Sequence, residues 1–353
     1  MIVTYQQEKS LLKAMFTALG MDEADADILA EVPTHSDFTG IESHGMSRAV
    51  GYVNLLSKGI MNPKAELKTL METDSLMAFD CGNGPGVVSM VKAYEHLKCK
   101  AKANGIALAV CSHSSNIGCG NYYAWKAAED ELMLIACANT YPLQAPFGGA
   151  DPLLGSNPVI VSAPSGHPWP VALDMATTLS AMGKISAAAR KGISIPDNWT
   201  LDYDGRPTTD PNNYHTMLPL AGHKGYGLAA MVDVFAAVLS GAAYGTDIGS
   251  FRKGQPENSG WCMILIDPNK FMPIAQFKER MDEYIAMLKS SRKAAGTEEI
   301  FLPGEIEYNT YLVRSKAGFN IDPTLEAVIM ERARQVGIAN DEDALPQLLE
   351  KIM

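Results

Sequence analysis

The chain has 353 residues, with 29 Lys+Arg against 40 Asp+Glu for a formal charge of −11, and it is 47% hydrophobic and 20% charged. That composition excludes disorder as the organising principle, and the length allows a sizeable core in two domains or in one large domain with extensions. The acidic balance removes the attraction on which nonspecific nucleic-acid binding depends, although a local basic site can still lie inside an acidic shell.

In chain order, the N-terminus carries no basic segment followed by an apolar stretch, so no signal peptide is expected. Thr4 and Gln7 form a capping box ahead of Leu11, Leu12, Met15, Phe16 and Leu19, and Gly20 stops that helix. Asp22 caps a second helical pattern with Ile28, Leu29 and Val32, which Pro33 is expected to kink or end. A third helix is expected from Ser43 to Ser57, closed by Gly59 and Pro63.

From Leu76 the pattern changes. Short apolar runs at Leu76 to Phe79, Ile106 to Cys111 and Met133 to Ala138 alternate with helical stretches at Val87 to Ala103 and Asn121 to Glu131. Such alternation predicts an α/β layer with some parallel pairing. Further strands are expected at Val159 to Ala163, Val171 to Asp174 and Trp261 to Ile266, with long Pro- and Gly-rich loops at 142–170 and 196–227.

The apolar run from Leu228 to Tyr244 is interrupted by Asp233, is too short for a membrane span, and reads as a helix buried in a protein core. Helical spacing recurs at Phe277, Met281, Ile285 and Leu288, then behind the Asp322-Pro323 cap and N1 pair, and in a last segment with Leu345, Leu348, Leu349 and Ile352. The expected architecture is therefore a central mixed α/β domain over 71–270, with helical regions 1–70 and 271–353 packing together beside it.

Three segments carry candidate chemistry. In Ser43-His44-Gly45-Met46-Ser47-Arg48, a helix start would put His44 and Arg48 on one face. There a guanidinium can hold a carboxylate while the imidazole gives a proton to the adjacent carbonyl oxygen; the alternative is a buried histidine and a surface arginine. His113 follows a strand end in a loop rich in serine, as a site residue or an ordinary polar loop residue. His223-Lys224-Gly225 precedes an apolar helix, where backbone N–H groups and a lysine suit a phosphate, or where the loop merely caps. The glycine-rich stretches at 82–86 and 118–120 lack Rossmann spacing, and no phosphate-binding lysine loop or GxSxG elbow is present. The histidines show no metal-ligand spacing, and the six cysteines, without a CxxC pair, suit reduced thiols in a cytoplasmic protein.

The chain resembles the malate/L-lactate dehydrogenase family of nicotinamide-dependent oxidoreductases, which are not Rossmann proteins. The resemblance is carried by Gly40-Ile-Glu-Ser-His-Gly45 with Arg48, Ala145-Pro-Phe-Gly-Gly149, Leu154-Gly-Ser-Asn-Pro158, Leu173-Asp-Met-Ala-Thr-Thr178, Pro207-Thr-Thr-Asp-Pro211, Lys224-Gly-Tyr-Gly-Leu228 and Leu302-Pro-Gly-Glu305, in family order. It implies His44 as the acid/base, Arg48 as the carboxylate anchor, and Thr140, Asp174, Met175, Ala176, Lys224, Gly225, Pro303, Gly304 and Glu305 as contacts of NAD or NADP. It implies a homodimer acting on a small 2-hydroxy or 2-oxo acid of malate or lactate type. Ureidoglycolate oxidation, cyclic-imine carboxylate reduction and a non-catalytic cofactor-binding relative are alternatives. One departure stands out, because Asn116 occupies the place where many members carry a histidine, and an amide cannot exchange a proton near neutral pH. Either His44 alone carries the proton, which is preferred, or His113 reaches in, or the chemistry is altered. Tyr141 and Gln144 are candidate pocket residues, and Arg190 and Lys191 either meet a 2′-phosphate or form a solvated face.

Overall fold

The structure, a computed structural model, describes residues 1–250 and 253–353. It opens with a short strand β1 (Ile2–Val3) and helix α1 (Tyr5–Ala18). The expected capping box is present: Thr4 Oγ1 accepts from the Gln7 N–H, and the Gln7 side chain accepts from the Thr4 N–H. Helix α2 (Glu23–Phe38) does not end at Pro33. Pro33 removes one backbone donor, yet Thr34 and Ser36 hydroxyls donate to the carbonyls of Ala30 and Val32, and residues Thr34 to Phe38 are all buried. Tertiary packing outweighs the cost of the proline here. The expected third helix is two pieces, a 3-10 turn Glu42–His44 and helix α3 (Met46–Ser57), separated at Gly45.

The α/β body follows: β2 (Lys68–Glu72), β3 (Leu76–Asp80), α4 (Gly86–Asn104), β4 (Ile106–Ser114), α5 (Gly120–Glu129), β5 (Met133–Ala138), β6 (Val159–Ala163), β7 (Val171–Met175), α6 (Met182–Lys191), β8 (Thr200–Leu201), β9 (Thr216–Met217), α7 (His223–Asp233) and β10 (Ser259–Ile266). The chain ends with α8 (Ile274–Lys289), α9 (Glu305–Ala317), β11 (Phe319–Asn320), α10 (Pro323–Gln335) and α11 (Leu345–Ile352). Among the described residues the central sheet has seven strands in the order β2-β3-β4-β10-β5-β6-β7. β3 and β4, linked through α4, are its parallel pair, and the other neighbours are antiparallel. β10 enters the centre late in the chain, setting Trp261 opposite Cys111 on β4 and Ala138 on β5. The wholly buried Trp261 donates its indole N–H to Ser89 of α4 at 3.2 Å, which satisfies its one polar atom.

The chain ends meet. β1 pairs with β11, the Met1 ammonium donates to the Ile321 carbonyl at 2.8 Å, and α1 and α3 pack against α11 and α10. Leu11 and Phe16 share one apolar cluster with Leu348, Leu349 and the inner sheet face. A separate cluster of Ile185, Ala188, Ile195 and Met217 gathers the long loops around α6, and Trp169, Ile285 and Leu302 seat α8 beside β7. The apolar run after Gly227 departs from expectation. It is α7 continued by a π turn, Val234–Val238, and Met231, Phe235, Val238 and Leu239 lie on an open face, with Val238 60% exposed. Among the described residues no helix is long and apolar enough to cross a membrane.

The cap of α10 is a local test of this architecture. Asp322 accepts from the N–H groups of Thr324 and Leu325 at 2.8 and 3.0 Å, and Pro323 presets the first turn. Asp322→Ala is expected to lower the unfolding free energy by about 1 kcal/mol, read as an earlier urea midpoint with an unchanged slope.

Candidate active site

The chain reverses between α2 and α3, and Gly45 makes that reversal possible. A Cβ there would lie 1.9 Å from Asp37 Oδ1, so no other residue fits without moving the carboxylate. Asp37 Oδ2 accepts the Met46 N–H at 2.6 Å, capping the first turn of α3. His44 and Arg48 therefore meet across a turn and a helix start rather than on one continuous helix.

Ser43 Oγ is 2.9 Å from His44 Nδ1, which fixes the ring and leaves Nε2 as its outward nitrogen. Burial, and then the neighbouring Arg48 charge, push His44 down to about 4. The imidazole is thus neutral at neutral pH.

One turn beyond Arg48, the Tyr52 hydroxyl donates to Asn116 Oδ1 at 2.6 Å, and the same oxygen accepts the Gly118 N–H at 3.0 Å. The Asn116 N–H donates to Glu257 Oε2 at 3.0 Å. Burial pushes Glu257 up to about 7, with the Arg48 charge acting against that rise. Tyr52 and Glu257 were missed in the sequence. Tyr52 had a signal, since it lies four residues beyond Arg48 on a helix. Glu257 had none, because its loop reaches Asn116 only through the placement of β10.

His113 pairs with Asp80. Its backbone has φ 50°, its Nδ1 is 3.1 Å from Asp80 Oδ2, and its side chain is 46% exposed. It lines a polar cavity of about 390 Å³ with Asn83, Asp247 and Asn258.

The residues expected to hold a cofactor gather around the end of β7 and the start of α7. Thr140 Oγ1 accepts the Ser156 N–H at 3.0 Å, the Ser156 carbonyl accepts from Thr177, and the Thr177 carbonyl accepts from Leu220. Gly225 lets α7 start against that chain, since a Cβ there would lie 2.0 Å from the Leu220 carbonyl oxygen. Asp174, followed in the chain by Met175 and Ala176, accepts the Asn121 N–H at 2.9 Å and so caps α5. The Pro303 carbonyl accepts from Ala172 of β7 at 2.9 Å, Gly304 is left-handed with φ 93°, and Glu305 is paired with Lys289 and accepts the Leu302 N–H. Gln144 is wholly buried.

The donor set suits a nicotinamide dinucleotide: an exposed Lys224 and the first-turn N–H groups of α7 can meet anions, and Thr140 and Ser156 offer hydroxyls. Among the described residues no group of three His, Cys, Asp or Glu side chains is arranged to hold a metal ion.

Comparison with known proteins agrees over nearly the whole chain. The malate/L-lactate dehydrogenase family model matches residues 3–330. L-sulfolactate dehydrogenase of Methanothermobacter thermautotrophicus is 35% identical over 344 residues, 96% of this chain and 98% of the relative. Ureidoglycolate dehydrogenase (NAD(+)) of Escherichia coli O157:H7 is 34% identical over 298 residues, 84% of this chain and 85% of the relative. The solved sulfolactate dehydrogenase of Methanocaldococcus jannaschii superposes with a TM-score of 0.89 at 35% identity, covering 98% of this chain and 99% of that one. In motif order, fold and overall similarity alike, this chain belongs to the malate/L-lactate dehydrogenase family.

Proposed function

We propose that the chain transfers a hydride between a nicotinamide cofactor and a small 2-hydroxy or 2-oxo acid of malate or lactate type. The observation that carries this reading is the neutral imidazole of His44, braced by Ser43 and set beside the guanidinium of Arg48.

When bound, the cofactor supplies or accepts the hydride. Arg48 holds the substrate carboxylate through a two-toothed contact, which fixes the neighbouring carbon in the pocket. His44 Nε2 takes the hydroxyl proton during oxidation, with Nδ1–H turned to Ser43 Oγ. Neutralisation of Arg48 by the substrate carboxylate removes the repulsion that holds the imidazolium down, so proton transfer and substrate binding assist each other. Asn116, with Oδ1 committed to Tyr52 and Gly118, orients the substrate oxygen through its amide hydrogens and takes no part in proton exchange. His113 has no role in this scheme. Lys224 and the start of α7 hold the phosphates, and Thr140, Asp174, Met175, Ala176, Gly225, Pro303, Gly304 and Glu305 form the walls around the rest of the cofactor, NAD or NADP.

We propose further that a second copy of the chain covers the open face of Met231, Phe235, Val238 and Leu239, making a homodimer. Six free cysteines, four of them buried, support a cytoplasmic setting. The relatives' printed activities define the test panel: malate, lactate, sulfolactate and ureidoglycolate with each oxidised cofactor, and cyclic-imine carboxylates with each reduced one. Turnover only of the last two classes would replace the malate or lactate reading.

His44→Ala is expected to lower kcat about 10²- to 10⁴-fold while cofactor affinity, followed by nicotinamide fluorescence, changes less than about twofold. Retained turnover would remove His44 from the proton-transfer role. Because the free imidazole loses its proton at about 4, kcat/KM for hydroxy-acid oxidation should hold its plateau on acidification until well below the 6.5 of an ordinary histidine. A limb centred near 6.5 would place the base elsewhere. Arg48→Lys keeps the charge but loses the fork, and the expected result is a KM for the acid raised about tenfold or more with cofactor affinity unchanged.

A further inference from the structure

Glu8 of α1 is wholly buried, and among the described residues neither of its carboxyl oxygens meets an N–H or hydroxyl donor. What it meets is the side chain of Asp37 on α2, itself only 1% exposed. Two buried carboxyl groups in contact are stable only with a proton between them, since Glu8 as an anion has neither solvent nor donor to offset the repulsion.

The charges around the pair place that proton. Burial raises Asp37 to about 7, against the Met46 N–H at the positive end of α3 and the Arg314 guanidinium of α9, which favour its anion, while Glu42 of the 3-10 turn adds to the rise. Glu8 is raised well above the ordinary range by burial and by Asp37, with Arg314 acting weakly against that rise. The proton therefore resides on Glu8, whose O–H donates to the Asp37 carboxylate.

Asp37 holds the segment that carries His44 and Arg48. Its carboxylate binds the Met46 N–H at 2.6 Å and fills the space that Gly45 leaves open. Arg314 closes the other side, donating to the Asp37 carbonyl and, at 2.6 Å, to Glu42 Oε1. His44 lies between these two anchors.

We propose that Asp37, bridged by a shared proton to Glu8, is the positioning residue that sets His44 and Arg48 for reaction. The proposal rests on the assignment of those two residues as the reacting pair. Neither acid touches substrate or cofactor. Loss of the shared proton leaves two buried anions in contact, moves the anchor at Met46 and misplaces the imidazole, and misplacement of a reacting group by about 1 Å costs on the order of 10²-fold in rate.

The test compares the parent chain with Glu8→Gln and Asp37→Asn. Glu8→Gln keeps an N–H donor for Asp37 at every pH. In the parent, kcat is expected to fall as pH rises above neutral while cofactor affinity holds, and in Glu8→Gln that alkaline fall should disappear. Asp37→Asn should lower kcat about 10- to 100-fold with cofactor affinity changed less than about twofold. Superimposable kcat–pH curves for the parent and Glu8→Gln would overturn the proposal, as would parallel losses of kcat and cofactor affinity in both variants.

Urea unfolding as a function of pH gives a readout independent of turnover. Acids whose folded pKa values are raised contribute most below their unfolded values near 4, and that contribution is lost as pH rises through the folded values. The parent should therefore lose stability between pH 5 and pH 8 relative to Glu8→Gln. If His44→Ala keeps its turnover but this stability difference is present, the acid/base assignment fails and the proton-sharing pair stands. If the stability difference is absent, the pair itself fails, even where Asp37→Asn does not fold.

Discussion

The placement of β10 between β4 and β5 is the constraint on which the site depends. A strand close to residue 260 must find two partners made about 120 to 160 positions earlier, and it is fixed there by more than its ladder. Asn139, just past β5, accepts the Gly260 N–H at 2.8 Å and donates to the Ala243 carbonyl at 2.9 Å, so one amide joins the strand to the turn that follows α7. Gly260 permits this because a Cβ there would lie 2.0 Å from the Ala236 carbonyl oxygen and 2.9 Å from that of Cys111. Once β10 is seated, Glu257 is carried to the Asn116 N–H, and the loop after β4 acquires its shape. Register in the sheet thus becomes geometry in the site.

Within that frame the charge is sparse and local. A chain of net charge −11 presents Arg48 and Lys224 at separate stations, and the His44 imidazole beside Arg48 is neutral. In the proposed reaction, the cost of burying His44 as a cation beside Arg48 keeps it available as a base, and the arriving carboxylate lowers that cost. Asp174 and Glu305 illustrate the opposite arrangement. Both acids are among the residues proposed to wall the cofactor, yet one caps α5 and the other pairs with Lys289, so neither would meet a phosphate as a free charge.

What could be read from sequence followed the range of the interactions. The capping box of Thr4 and Gln7 and the Asp322-Pro323 start lie within a few residues, and both are formed as expected. The α2 continuation past Pro33 was not legible, because it is enforced by packing of Thr34 to Phe38 against distant elements. Helix α9 escaped notice for a related reason: its residues lack a sustained apolar stripe, and its start is fixed by the left-handed Gly304 against Pro170. The motif around His44 and Arg48 marked the candidate residues, but the break at Gly45 and the neutral imidazole come from Asp37 and from burial. His113 shows the converse, a plausible histidine after a strand whose ring turns to Asp80 instead.

Helix α7 links the two regions that sequence patterning described least well. Its first turn, at His223 to Gly225, is pressed onto Leu220 beside the Thr140 and Ser156 hydroxyls, and its Asp233 accepts from Asn157 Nδ2 at 3.1 Å. Asn157 also donates to the Ala229 carbonyl, so the loop that holds Thr140 grips the helix at two points one turn apart. Immediately beyond Asp233 the helix widens into the π turn, which rotates Phe235, Val238 and Leu239 onto the open face while Ala236 and Ala237 stay buried against β10. Burial of that face against a second copy would act on a rod already clamped to the Thr140 loop. Any shift of the rod would then be felt at Lys224 before it was felt at His44, because Asp37 and Met46 hold the latter independently.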